Sequence, residues 1–301
     1  MFKKLLSLFA LGALVPISAQ AQLNVFTCEP EWAQLAKELG GDKVKTYSAT
    51  HASQDPHYIQ ARPSLIAKAR RADLLVCTGA DLEVGWLPVL LERSANSQIQ
   101  VGAKGHFLAA NHVVLLEKLD YVDHSMEHVH AAGNPHFQTD PRRMLEVAKA
   151  LTNRLIALDP NQASHYQKLG LTFVENMNKA LIQWQQQAKA IQQMPIVVHH
   201  HSWVYFNDWL GLSQVATLEP KPGIPPSTSH LSQLMQKLKS EPAKVIIYAA
   251  YQNPKAAHWL AQKTGIPVLK LHSSLVPEQT LITFYQSLLD RLLKINQGYS
   301  Q

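Results

Sequence analysis

Short apolar runs separated by longer amphipathic stretches dominate this chain, and five of them lead into a polar or sulfur-bearing residue. Runs of this length with helical stretches between them are typical of buried parallel strands in an α/β fold. Because the binding crevice of such sheets lies beyond the carboxyl ends of the strands, the residues that follow the runs are candidates for function. The runs and these residues are 23–26 with Cys28, 72–76 with Cys77, 195–198 with His199-His200-His201, 243–247 with Tyr248, and 266–271 with His272.

Two groups of strand-and-helix units lie on either side of one long helical pattern at 162–193. In the first group we predict helices at 31–39, 63–71, 81–92 and 142–158, a strand at 44–48 and a weaker β region at 112–116. The chain is therefore predicted to be an α/β protein with two lobes, each with a mainly parallel sheet flanked by helices. The predicted units are an N-terminal lobe at 22–158, a linker helix at 159–193 and a C-terminal lobe at 194–301.

The first 21 residues have the pattern of a secretory signal peptide. Lys3 and Lys4 precede an apolar stretch from Leu5 to Ile17, and a small-x-small cleavage site ends at Ala21. The apolar stretch is well short of the ~20 residues that a membrane span needs. Since no cysteine lies at the cleavage point, we expect a mature periplasmic protein that begins near residue 22 and carries no lipid anchor.

Composition narrows the functional classes. The chain of 301 residues is 46% hydrophobic, which is ample for a core, and its net charge of +6 includes two lysines of the signal peptide. The basic residues are scattered, so nucleic-acid binding is not expected. The only two cysteines, Cys28 and Cys77, follow predicted strands in a compartment that permits disulfides. A disulfide and two buried thiols both fit, whereas a zinc site built on these cysteines is disfavoured because neither belongs to a CxxC pair.

Four of the 15 histidines stand out by position rather than by number. His57 and His136 each follow a proline in a predicted loop, and proline restricts where the next side chain can point. His200 and His272 follow predicted strands of the second lobe. We expect two imidazoles from each lobe to meet in the cleft, where four neutral nitrogens would suit tetrahedral Zn²⁺. Mn²⁺ is less expected because it prefers oxygen ligands.

Three motifs resemble those of the zinc/manganese substrate-binding proteins of ABC importers, the ZnuA/TroA-like family. The first motif combines DPH at 55–57, a proline-led helix at Pro63, ADLLV at 72–76 and GADLEVGWL at 79–87. The second, NPHFQTDP at 134–141, is similar to the DPHxWxDP of the family. The third is HHSWVYF at 200–206, followed by GL at 211–212. The resemblance covers essentially the whole mature chain and implies a monomer that delivers metal to a membrane permease with its ATPase.

Carrying the family's ligands over one position at a time gives His57, His136 and His200. The fourth family ligand is commonly an aspartate after the last strand, and here that position is His272. His272 is favoured as the fourth ligand, and three histidines with a water molecule are the alternative. A histidine in the third motif fits the zinc members better than the manganese members, which remain the second candidate.

The segment 120–135 resembles a shortened form of the histidine-rich loop of zinc members, and a solvated loop is the alternative. It contains His124, His128 and His130, which would form an auxiliary metal-collecting loop. The same segment spells HSMEH at 124–128, the HxxEH pattern of a metallopeptidase class. That chemistry needs the pattern on a helix, and the neighbouring Gly133 and Pro135 make a helix unfavourable there. A periplasmic metal carrier without an importer is a further alternative.

Overall fold

Two four-stranded parallel sheets organise the chain in a computed structural model that describes residues 22–118 and 131–298. The first sheet has the strand order β2-β1-β3-β4 and the second has the order β6-β5-β7-β8, so the two sheets share one topology. The prediction of an α/β fold with two parallel sheets is confirmed. The strands are β1 Leu23–Thr27, β2 Val44–Ser48, β3 Leu74–Cys77, β4 His106–Leu108, β5 Pro195–Val198, β6 Ser213–Thr217, β7 Val245–Ala249 and β8 Val268–Leu271.

Helices connect and flank the strands, and several begin where the sequence places a proline. Pro30, Pro63 and Pro141 each occupy the first turn of a helix, where a missing N–H costs no intrahelical hydrogen bond. None of the helices among the described residues is long and apolar enough to cross a bilayer. The helices are α1 Pro30–Gly40, α2 Pro63–Ala69, α3 Leu87–Ser94, α4 Pro141–Leu158, α5 Ala163–Ala188, α6 Val204–Leu210, α7 Thr228–Ser240, α8 Lys255–Thr264 and α9 Leu281–Asn296.

One continuous apolar core joins the two sheets. It includes Val25 and Val76 from the first sheet, Ile196 and Ile247 from the second, and inward residues of α4, α5 and α9. The long helix α5 contributes Trp184, whose indole N–H donates to Gln286 of α9. Because helices and strands of both lobes bury apolar surface in the same core, a large hinge motion would expose apolar side chains to water. The fold therefore favours small adjustments at the cleft.

Two local predictions differ from the structure, and one strand was not predicted. The β region predicted at 112–116 is wrong, because the strand is β4 and residues Ala109–His112 form a 3-10 helix. The helix predicted at 81–92 begins only at Leu87, after a turn in which Ala80 and Asp81 adopt positive φ. Strand β6 lacks a continuous apolar run and was not predicted. Its residues are all partly exposed, because it is an edge strand.

Cys28 and Cys77 form a disulfide between the carboxyl ends of the neighbouring strands β1 and β3. The bond crosslinks residues 49 positions apart. The backbone carbonyl of Cys28 accepts hydrogen bonds from both the N–H and the hydroxyl of Thr50, at 3.1 and 2.9 Å. The crosslinked strand end therefore also anchors the loop that follows β2.

Candidate metal centre

Three histidines from three separate segments meet in the cleft between the sheets. One ring nitrogen of each of His57, His136 and His200 lies within 4.8 Å of a nitrogen of the other two. The ring centroids are 5.3 Å apart for His57 and His136, 5.6 Å for His136 and His200, and 6.1 Å for His57 and His200. Such a group of imidazoles can close around one metal ion after small rotations of the side chains. All three belong to the set that the sequence singles out.

His57 is held by its own loop. Both its backbone N–H and its ring Nδ1 contact Oδ1 of Asp55, at 3.1 and 2.7 Å. The carbonyl of Pro56 accepts a 2.9 Å hydrogen bond from the indole N–H of Trp86, which is buried. Asp55, Pro56 and His57 thus form a local unit that the first motif encodes directly. Because Nδ1 is engaged by the carboxylate, Nε2 is the ring nitrogen that could bind a metal.

His136 is the most buried residue of the three, with 3% exposure. It immediately precedes the 3-10 helix Phe137–Thr139, and its N–H is held by the side chain of Asn134 at 3.0 Å. The side-chain amide of Asn134 also donates to the backbone carbonyl of His201 at 2.8 Å, and the backbone carbonyl of Asn134 accepts from the hydroxyl of Tyr205 at 2.6 Å. The second motif is therefore bound directly to the segment that follows β5.

His200 lies just beyond the central strand β5 and is positioned by a carboxylate that is distant in sequence. Its ring Nδ1 is 2.7 Å from Oε2 of Glu219, which follows the neighbouring strand β6. The same oxygen accepts a 3.0 Å hydrogen bond from the N–H of Gly223. Glu219 was missed as an orienting residue in the sequence because β6 was not predicted. The signal that could have identified it is its position after a second parallel strand.

Negative charge surrounds the imidazoles. Burial alone would raise the pKa of Asp55, but the hydrogen bond and the charge of His57 hold that pKa below its usual value. Burial, with added repulsion from Asp55 and Glu219, raises the pKa of Tyr251, so this residue stays a neutral phenol. These groups line a cavity of about 250 Å³ that also contains His57 and His200. The cleft can therefore balance the charge of a bound cation.

His272 is not part of the group of three converging histidines, and its role as a fourth ligand stays a prediction. Its ring is hydrogen bonded to the backbone of Ala52, and its pKa is lowered by burial and by the charges of Lys270 and Arg291. Two nearby cationic side chains make the position unfavourable for a metal ion. The alternative of three histidines with a water molecule also stays a prediction.

Other predicted site residues fall elsewhere. His124, His128 and His130, with the HSMEH segment, lie outside the described residues. Sulfurs of Cys28 and Cys77 lie within 4.8 Å of a carboxylate oxygen of Glu83, but the disulfide consumes both thiols, so this group is not a metal site. The sequence alternative of two buried thiols is therefore wrong.

A group of buried glutamates lies behind the cleft at the carboxyl ends of β1 and β3. Glu83 accepts from the N–H groups of Thr78 and Gly79, at 2.7 and 3.0 Å, and Glu29 accepts from the hydroxyl of Thr78 at 3.0 Å. Glu31 accepts from the hydroxyl of Ser274 in the loop after β8. Burial raises the pKa of both Glu31 and Glu83 to about 7, and burial with repulsion from Glu83 raises that of Glu29. No motif or apolar run in the sequence indicates this group.

Comparison with known proteins gives consistent matches across the chain. Residues 25–296 match the family model described as zinc-uptake complex component A, periplasmic (ZnuA). The chain is 24% identical over 262 residues to the manganese ABC transporter substrate-binding lipoprotein PsaA of Streptococcus pneumoniae, covering 83% of this chain and 79% of the relative. It is 24% identical over 295 residues to the metal ABC transporter substrate-binding lipoprotein FimA of Streptococcus parasanguinis, covering 94% and 91%. A crystal structure of ZnuA superposes with a TM-score of 0.77 at 20% identity, covering 91% and 99%.

Proposed function

The chain belongs to the family of periplasmic zinc-uptake component A proteins, which are substrate-binding proteins of ABC metal importers and not enzymes, and on that premise we propose that it captures Zn²⁺. The ligands in this proposal are His57, His136 and His200. The convergence of their ring nitrogens within 4.8 Å of one another is the observation that carries it. The metallopeptidase alternative is excluded by the family.

The donor set supports zinc over manganese. Three neutral imidazoles offer nitrogen, which suits Zn²⁺, whereas Mn²⁺ is better served by carboxylate oxygens. Among the described residues that converge here, the carboxylates of Asp55 and Glu219 face the Nδ1 side of the rings, at 2.7 Å, and so orient ligands. The two negative charges also match the double charge of the ion. Manganese remains the second candidate because a sequence relative is named for it.

Capture would depend on protons as well as on metal. A metal ion competes with protons for imidazoles, which ordinarily titrate near pH ~6.5, so we expect affinity to fall below about pH 6. The carboxylate partners keep a proton on Nδ1 and turn Nε2 toward the ion. Loading would draw the loop of His57 and the strand end of His200 together. The shared core would keep the accompanying movement of the lobes small.

Substrate-binding proteins of ABC importers act outside the cytoplasm with a membrane permease and an ATPase, and this sets the cellular role. For this chain we propose a monomer in the periplasm, released by removal of residues 1–21, that delivers zinc to such a permease. The units proposed for this role are the lobes at 22–158 and 194–301 with the linker helix between them. The histidines of the 120–135 segment are proposed as an auxiliary collector.

The test is a chelator-competition titration of the mature chain 22–301 with Zn²⁺. Replacing His200 by alanine should weaken binding at least about a hundredfold, more than the loss expected for a residue that only orients a ligand. His201→Ala is the matched control, because His201 is adjacent in sequence but contacts Glu117 and Gln214. Both His201→Ala and His272→Ala should change affinity by less than about twofold.

Metal analysis of the protein purified from the periplasm of its own host identifies the cargo. Zinc at about one ion per chain is expected, and predominant manganese would exclude the zinc proposal. A collapse of affinity in His272→Ala would instead restore the four-histidine site. Equal binding by the wild type and His200→Ala would contradict the assignment of the cleft altogether.

A further inference from the structure

Two of the candidate ligands lie in short units of the same form whose first residues differ in chemistry. The units are Asp-Pro-His at 55–57 and Asn-Pro-His at 134–136. In both, the side-chain Oδ1 of the first residue accepts the backbone N–H of the histidine, at 3.1 Å for His57 and 3.0 Å for His136. Aspartate and asparagine can both close such a turn. The turn alone therefore does not explain why position 134 carries an amide.

The other polar groups of Asn134 are also hydrogen bonded. Its side-chain Nδ2 donates to the backbone carbonyl of His201 at 2.8 Å and to Oε2 of Glu117 at 3.1 Å. Its backbone N–H donates to the carbonyl of Leu116 at 2.9 Å, and its backbone carbonyl accepts from the hydroxyl of Tyr205 at 2.6 Å. Since the residue is only 9% exposed, water cannot easily replace these bonds. The amide thus has its oxygen and both of its hydrogens engaged.

These bonds connect two candidate ligands that come from different lobes. Asn134 lies two residues before His136, and the carbonyl that its amide contacts belongs to His201, directly after His200. The hydroxyl of Tyr205, on α6, makes a second connection to the backbone of Asn134. The two contacts therefore fix the separation of the backbones that carry His136 and His200. Ligands that are held in place before binding lose less conformational freedom when a metal binds.

The surroundings of this side chain suit an amide and not a carboxylate. A carboxylate at position 134 would put an oxygen in place of Nδ2, against the carbonyl of His201 and the carboxylate of Glu117. Both carboxylates would be ionised at neutral pH and would repel each other in a largely buried position. The new side chain would turn away and release the N–H of His136. At position 55 the carboxylate oxygen contacts two nitrogens of His57, so a negative charge suits that unit.

We propose that Asn134 is a positioning residue of the metal site, which holds His136 at a fixed distance from His200 through its side-chain amide. This inference rests on the proposed zinc function. Asn134 acts on the ion through the N–H of His136 and through the backbone next to His200. Loss of the amide should therefore weaken metal binding and change the coordination of the ion.

Asn134→Asp is the main test, because it keeps the size of the side chain and an acceptor for the N–H of His136. Chelator competition should show a zinc affinity at least about tenfold below that of the wild type. Glu117→Gln in the same chain should restore most of the loss, since glutamine can donate to the new carboxylate. Asn153→Asp, on the exposed face of α4, is the matched control and should bind zinc as the wild type does.

The visible spectrum of the Co²⁺-loaded chain separates positioning from a general loss of structure. The absorption of Co²⁺ depends on the number and geometry of its ligands, so Asn134→Asp should change the bands and the added Glu117→Gln should restore them. Tyr205→Phe removes an interlobe hydrogen bond without adding a charge, and it should lower zinc affinity about three- to tenfold. Thermal unfolding shows which variants are folded, and Tyr205→Phe decides the test if Asn134→Asp does not fold.

Three results would overturn the proposal. They are zinc binding by Asn134→Asp or by a deciding Tyr205→Phe within about twofold of the wild type, a wild-type Co²⁺ spectrum in Asn134→Asp, and a double variant that binds no better than Asn134→Asp. Failure of the proposed function has a different signature, because the wild type and His200→Ala would then bind zinc equally.

Discussion

The two sheets have the same strand order but carry different groups at equivalent positions, a disulfide and buried carboxyls in the first and histidines in the second. In each sheet the strand order changes direction between two neighbouring strands, which are β1 and β3 in the N-terminal lobe and β5 and β7 in the C-terminal lobe. Ligands of open α/β sheets bind at such a point. In the N-terminal lobe this point is closed by the Cys28–Cys77 disulfide and the buried carboxyls of Glu29 and Glu83. In the C-terminal lobe it carries His199 and His200 beside two cavities.

This difference shows that one sheet topology can support a crosslink in one lobe and a binding face in the other. The N-terminal lobe uses its equivalent point for crosslinking and presents its candidate ligands from loops, with His57 after β2 and His136 before α4. The C-terminal lobe presents His200 directly from the end of β5 and leaves space around it. Among the described residues, the buried carboxyl groups all precede residue 141. The first lobe is therefore the more rigid platform, and the second is the more open binding face.

Breaking the disulfide tests the rigid platform and should have the largest effect. Closing a loop of 49 residues removes chain entropy from the unfolded state, so we expect Cys28→Ala/Cys77→Ala to lose about 4 kcal/mol in the free energy of unfolding. Urea unfolding monitored by tryptophan fluorescence measures the loss. A reducing agent should destabilise the wild type but not the double variant. A variant as stable as the wild type would refute the crosslink as the stabilising element of this lobe.

The buried glutamates should give the first lobe a stability that depends on pH. Burial raises the pKa of Glu31 to about 7, so the folded state holds a proton that the unfolded state has already lost above pH ~4.5. The free energy of unfolding is therefore highest below pH ~4.5 and falls by up to about 3 kcal/mol as the pH rises toward 7. Glu31→Gln should flatten this decline in unfolding titrations between pH 5 and 8. Glu146→Gln, on the exposed face of α4, should leave the decline unchanged.

Hydrophobic patterning predicted the central strands because buried strands are continuous apolar runs, as in β3 and β7. It failed at β6, an edge strand whose partly exposed residues lack such a run. Three ligand candidates could be identified because two follow a proline and one follows a buried strand. His272 also follows a strand, but the contacts of its ring with Ala52 depend on how the lobes pack, which no local pattern records. Glu219 was missed because β6 was not predicted. The buried glutamates were missed because no apolar run or motif records that a carboxylate accepts hydrogen bonds from Thr78 at the end of β3.

Replacing Glu219 tests whether the open face depends on a carboxylate from a neighbouring strand. Glu219→Gln keeps an acceptor oxygen for His200 but removes the charge, and we expect zinc affinity to fall about ten- to a hundredfold. The Glu219 side chain is only 13% exposed, so water cannot easily replace it. Chelator competition measures the loss, and Glu241→Gln, exposed near the end of α7, should show none. An unchanged affinity would mean that His200 is oriented by the backbone alone.

Asp55→Asn is the equivalent change in the N-terminal lobe and should have the smallest effect, at most about tenfold. Asp55 is 32% exposed, so solvent can stabilise the ring N–H of His57 after the charge is removed. The Trp86–Pro56 hydrogen bond would still hold the loop. Since Asp55 and Glu219 orient different histidines, the losses in the double variant should add in free energy. A larger loss for Asp55→Asn than for Glu219→Gln, in the same chelator titration, would reverse the comparison and make the local unit of the first lobe the dominant one.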